Sequence, residues 1–93
     1  MSDRTTIYKY PIKITDTQVI EVPEECEFLH AGLDPQGTPC LWALVDLPSP
    51  PTRIVVHVIG TGNPVPQHLN TFDHVGTFNH GPFVWHVFTE EEA

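Results

Sequence analysis

Four histidines, His68, His74, His80 and His86, fall six residues apart, with Asp73 beside one of them. Imidazole and carboxylate together are zinc chemistry. Zinc needs three or four ligands converging about 2 Å from one point, usually anchored by a close pair such as H-x-H or C-x-x-C. Neither pair occurs in the chain, and the two middle histidines are expected to flank a tight hairpin. The even spacing is therefore read as coincidence, and no metal or other cofactor is expected. Hydrolytic chemistry fares no better. The only serines are Ser2, near the terminus, and Ser49 in the proline-rich "LPSPP", and neither suits a strand-to-helix nucleophile elbow. Cys40 opens an apolar strand, where a buried thiol is inert. The reading is of a protein that is not an enzyme.

What remains suits binding. "GTGNP", Gly60 to Pro64, sets two glycines and a threonine beside Asn63. Such backbone can present N–H groups to an anion, or can turn through positive φ with no ligand at all. Trp42 and Trp85 offer faces on which a ring could stack. His57 and His86 each interrupt an apolar strand face. Trp42, His57, Gly60, Thr61, Gly62, Asn63, Trp85 and His86 are thus the candidate site for a small polar, nucleotide-like ligand. A second candidate is the run "EVPEECE", where Glu21, Glu24, Glu25 and Glu27 form either a solvated face or a patch for a basic partner.

These groups have to be positioned by short extended elements. Ten prolines and six glycines leave no helical period, and β-branched runs between turn signals indicate an all-β domain. In "IYKYPIKIT" the apolar residues Tyr8, Tyr10, Ile12 and Ile14 alternate with Lys9 and Lys13, and Pro11 marks an edge strand. "TQVIEV" repeats the alternation. Asp34-Pro35-Gln36-Gly37 is hairpin chemistry. Pairing Asp34 with Thr38 sets Trp42 opposite His30 and Leu44 opposite Phe28. It also puts Cys26 and Cys40 on one face but about 20 Å apart, so both are expected to be free thiols. In "TRIVVHVIG", Ile54, Val56 and Val58 share one face and Val55, His57 and Ile59 the other. Gly60 to Leu69 is the one long surface connection. A last hairpin turns at Asn79-His80-Gly81, pairing "NTFDHVGTF" with "GPFVWHVF". In that final strand Phe83, Trp85 and Val87 oppose Val84, His86 and Phe88. Residues 89–93, "TEEEA", are expected to be a frayed acidic tail. The sum is one domain, residues 1–93, built as a small antiparallel β-barrel or sandwich of about six to seven short strands.

Twelve acidic against four basic residues give a net charge of −8. Phosphate backbones repel such a surface, so direct nucleic-acid binding is not expected. No apolar run approaches the roughly 20 residues of a membrane helix, and "MSDRTTIYKY" lacks a hydrophobic signal segment. With two cysteines and no bridge, the setting expected is the reduced cytoplasm. Apolar residues on both faces of two strands also imply self-association, since a thin interior hides only one face of each.

"KYPI", "FLHAGLDPQGTPCLWALVD", "GTGNPVP" and "GTFNHGPFVWHVF" together resemble a family of small uncharacterised bacteriophage and prophage proteins, nearly end to end. The resemblance implies a phage origin and the cytoplasm of an infected host cell, and it carries over no activity. Members of that family tend to have His where this chain has Asn63. The leading expectation is a non-enzymatic, self-associating phage accessory protein that sequesters a small polar ligand to counter host defence. One alternative is an acidic inhibitor docking on a basic host protein, by imitating DNA or as an anti-CRISPR protein does. The other is a minor virion or assembly component.

Overall fold

The computed structural model describes residues 4–66, 68 and 72–92. Ser2, Leu69 and Ala93, each named above, lie outside the described residues, as do Asn70 and Thr71 at the start of the last hairpin. Seven antiparallel strands form two sheets, and no helix occurs among the described residues. The strands are β1 Arg4–Pro11, β2 Thr17–Pro23, β3 Cys26–Leu33, β4 Pro39–Leu47, β5 Pro51–Gly60, β6 Asp73–His80 and β7 Phe83–Glu91. One sheet has the order β1-β4-β3 and the other β2-β5-β7-β6. The architecture is therefore a sandwich.

Alternation explains the packing. Leu41 of β4 clusters with Val56 and Val58 of β5 and Val87 of β7, and Ala43 and Val45, alternating with exposed or half-buried neighbours on β4, are buried as well. Leu41 is fully covered at the centre of this core. Pro11 and Pro23, which cannot donate to a ladder, sit at the ends of edge strands β1 and β2.

The β3-β4 hairpin turns as its chemistry requires. Gly37 has φ +83°, and the Asp34 carboxylate accepts the amides of Gln36 at 3.0 Å and Thr38 at 2.9 Å. His30 does oppose Trp42, but Phe28 opposes Ala43 rather than Leu44. A β-bulge between Phe28 and His30 absorbs one residue. It turns Phe28 and Cys26 onto the core, while Cys40, next to core residue Leu41, projects to the outer face. The two cysteines thus lie on opposite faces, not one, and both are free thiols.

A second bulge, between His74 and Gly76, lets β6 run against β3. The last hairpin turns one step later than expected: His80 still pairs with Phe83, and Gly81, at φ +61°, leads the turn with Pro82. The acidic terminus is a strand end rather than a frayed tail. β7 runs to Glu91 opposite Ile54, Thr89 is buried, and the Glu92 amide donates to Arg53 O at 3.2 Å. β5 is ten residues long, and its first half offers a ladder edge and the counter-charge of Arg53, whose Nε lies 3.0 Å from Glu92.

Candidate functional site

The β5 face that the sequence left without a partner is covered by the chain itself. His57 is 7% exposed because Phe72, only 8% exposed, stacks on its ring at 4.3 Å and 6°. The surplus apolar surface that implied a companion subunit is, at His57, used within the chain. Two hydrogen bonds satisfy the imidazole. Nε2 lies 2.7 Å from Glu90 Oε2, and since a carboxylate only accepts, the ring proton sits on Nε2. In the neutral ring Nδ1 is then an acceptor, and it faces Thr17 Oγ1 at 3.4 Å.

His86 is held in a different way. Its Nε2 lies 2.7 Å from Thr61 Oγ1 and its Nδ1 3.1 Å from Thr77 Oγ1. Either hydroxyl can donate or accept, so both ring nitrogens are satisfied whichever carries the proton. His74 extends this network to Thr77 at 3.2 Å. An apolar strand tolerates His86 because the ring pins the connection after β5 to strand β6.

Beside His57 a recess of about 280 Å³ opens between the start of β2 and the chain after β5. Asp16, Thr17, His57 and Asn63 supply its polar wall, and Val58, Ile59 and Val65 much of its apolar one. Gly60 keeps this corner tight. A Cβ on it would lie 2.8 Å from Asn63 Nδ2 and 3.0 Å from the Trp85 ring. Of the eight candidate residues, His57 and Asn63 line the recess, and Gly60, Thr61 and Gly62 form the adjoining turn. Trp85 packs beneath that turn against the core, and His86 is tied to Thr61. Trp42 is elsewhere. It stacks on His30 at 5.9 Å on the outer face of the other sheet, so the two indoles cannot clasp one ring.

The glycine turn is also not an anion cradle of the kind its sequence suggested. The Thr61 amide donates to Val84 O at 3.1 Å and the Asn63 amide to Gly60 O at 3.0 Å. Those donors are spent on folding the turn. Thr17, His57 and Glu90 line up in the order of a hydrolytic triad, but such chemistry needs N–H donors aimed at an oxyanion. The nearby Val58 amide is directed at Asp16 O, 3.4 Å away. The polar wall of the recess carries the Asp16 carboxylate, an acceptor, beside the Asn63 amide, the Thr17 hydroxyl and the His57 ring, whose Nδ1 already meets Thr17. Thr17, Asp16 and Glu90 were missed from sequence. Thr17 becomes visible only through its pairing with His57, and Glu90 through the extension of β7.

The far end of the sandwich is acidic. Glu24, Glu25 and Glu27 of the candidate patch are joined there by Asp46, Asp73, Glu91 and Glu92, lining three recesses that share Cys26. Glu21 stands apart on β2, opposite Arg53. Among the described residues no group of three or more His, Cys, Asp or Glu is placed to hold a metal ion.

A third polar cluster ties β1 to the β3-β4 hairpin. Lys9 Nζ lies 3.0 Å from Asp34 Oδ2, and the Cys40 thiol is directed at the same oxygen, 3.8 Å away. The Thr38 amide first, then Lys9, hold Asp34 below its ordinary 3.8, and the Asp34 hydrogen bond raises Lys9 above 10.5. Desolvation raises both thiols above 9.0, with the Asp34 charge adding to the effect at Cys40, and burial raises Tyr10 above 10.0. Groups whose folded pKa is raised stabilise the fold fully below their ordinary values. That contribution is lost as pH climbs through the folded values. For Asp34 the sign reverses: its contribution is present above 3.8 and is lost as pH falls through the depressed value. Urea midpoints are therefore expected to stay level near neutrality and to fall above pH 9, where the unfolded chain gives up thiol protons first. A Cys26→Ala/Cys40→Ala double variant should show a shallower alkaline fall. An alkaline limb unchanged in that variant would contradict the assignment to the thiols.

The fold and the site define a small antiparallel β-sandwich with a side recess walled by Asp16, Thr17, His57 and Asn63. Residues 3–93 match the family described as Domain of unknown function (DUF7352), and the chain belongs to it. No curated protein and no solved structure matches the chain.

Proposed function

We propose that this chain is a non-catalytic binding module, a bacteriophage accessory protein acting in the cytoplasm of an infected cell, that sequesters a small polar ligand in the recess beside His57. The observation that carries this reading is the clustering of Asp16, Thr17, His57 and Asn63 against an apolar wall. Convergent polar groups on an apolar recess are the usual form of a small-molecule site. The Asp16 carboxylate narrows the ligand. A group bearing several N–H donors, such as an amino-substituted base edge or a guanidinium, complements the wall, whereas a phosphate meets the Asp16 charge. A nucleotide would enter base first.

Isothermal calorimetry against nucleosides, cyclic and linear nucleotides and alkyl guanidines tests the reading. Binding is expected for donor-rich members, with Kd on the order of 10 µM for a recess this small. The Asp16→Asn variant should weaken it about tenfold or more, the effect of losing a charge-assisted hydrogen bond. Flat traces across the whole panel would remove the proposal.

A further inference from the structure

We propose that the outer face of the β1-β4-β3 sheet docks an extended segment of another protein, one that carries an apolar centre and a lysine or arginine. This goes beyond the ligand recess, lies on the other sheet and does not depend on it. Ile7 of β1 and Leu44 of β4 oppose one another, and on this face they stand 57% and 36% exposed, with Leu29 of the bulge at 45%. Cross-strand neighbours touch, so Ile7 and Leu44 make an apolar pair where water would ordinarily be met by polar groups, and Leu29, unpaired in the neighbouring bulge, adds exposed apolar surface. Directly against Leu44 lies a shallow recess of about 340 Å³ whose polar wall includes the carboxylates of Glu25, Glu27 and Asp46.

That combination fits a long basic side chain. Its methylene stem would lie on Leu44, and its cation would meet the three carboxylates. Lys9, the cation on this face whose side chain is described, is already engaged by Asp34 at 3.0 Å. Charge complementarity also selects the occupant. A second copy would bring a chain of net charge −8 to the same acidic rim, which repulsion opposes. β1 is moreover an edge strand, so an incoming strand can extend the sheet while its alternate side chains reach the apolar pair.

The test titrates ¹⁵N-labelled full-length protein with a short Leu-Ser-Lys-Ser repeat (the Leu-Lys peptide), whose leucines and lysines share one face of a strand, and with a Ser-Ser-Lys-Ser repeat of equal length and charge. The Leu-Lys peptide should bind at least about tenfold tighter, the effect of burying one or two apolar side chains, and should shift the amides of Ile7, Leu44, Glu27 and Asp46. Leu44→Lys, a change at an exposed position, should weaken binding about tenfold or more. Phe83→Lys, at the distant β6-β7 turn and 60% exposed, should leave it unchanged. Equal affinity for the two peptides, or shifts centred on the other sheet, would overturn the proposal. So would a dimer in light scattering that Leu44→Lys dissociates.

Discussion

Replacing Gly76 with alanine is expected to lower the stability of this domain by about 3 kcal/mol, at the upper end of what overpacking usually costs. The reason is local and steric. At the bulge in β6, a Cβ on Gly76 would sit 2.8 Å from the Ala31 nitrogen, 2.9 Å from its carbonyl oxygen and 3.2 Å from its Cβ. Two of those three atoms belong to the β3 backbone, which cannot swing aside as a side chain can. The seam where the two sheets meet at β3 and β6 would have to open, loosening Ala31 and Phe78, both buried. Urea unfolding followed by tryptophan fluorescence measures the change. Gly62→Ala supplies the contrast. It adds a Cβ at φ +91° with no neighbour within 4 Å, so only backbone strain of about 1 kcal/mol applies. A Gly76→Ala protein as stable as the parent would mean that β3 and β6 do not approach as described.

The second large effect is expected at Leu41. This side chain is fully buried between the sheets, packed in the cluster that includes Val56, Val58 and Val87. Leu41→Ala removes that volume where β-sheet backbone on both sides prevents collapse, and should destabilise by about 3 kcal/mol. Leu44→Ala, three residues along the same strand but on the exposed outer face, should change stability by less than about 1 kcal/mol. Equal losses at the two positions would invert the assignment of faces on β4. For a 93-residue domain, whose total stability is expected to be on the order of 5–10 kcal/mol, either of the two large changes removes roughly a third to a half or more of the total.

Much of the fold was legible because its determinants are local. Alternation in "IYKYPIKIT", the Asp34–Gly37 turn and the β-branched run at Ile54 each name a strand or a turn from neighbouring residues alone. The departures came from features that local pattern does not encode. The bulge beside Leu29 leaves no signature in "CEFLHAGL", yet one inserted residue reverses which face Cys26 and Phe28 occupy. "TEEEA" looks like a solvated tail until Arg53 and His57 supply partners for Glu92 and Glu90 across the ladder.

The site was half legible for the same reason. His57, Asn63 and the glycine turn declared themselves by type. Thr17 and Glu90 come from strands, and Asp16 from the bend before β2, all distant in sequence from His57, and they join it only through register. Trp42 misled because an aromatic side chain carries no information about which sheet its strand will enter. The surplus of apolar residues on β5 was also real, but part of it is hidden by Phe72, whose stacking on His57 no local pattern announces.

The central claim is that the polar groups gathered beside His57, the Asp16 carboxylate foremost, form a site for a donor-rich small molecule. Calorimetry of the intact protein and of Asp16→Asn, run side by side against the strongest-binding nucleoside or alkyl guanidine of the panel, tests it most directly. Saturable one-to-one binding that weakens about tenfold or more in the variant is the result predicted. Binding of equal strength in both proteins, or none in either, would contradict it.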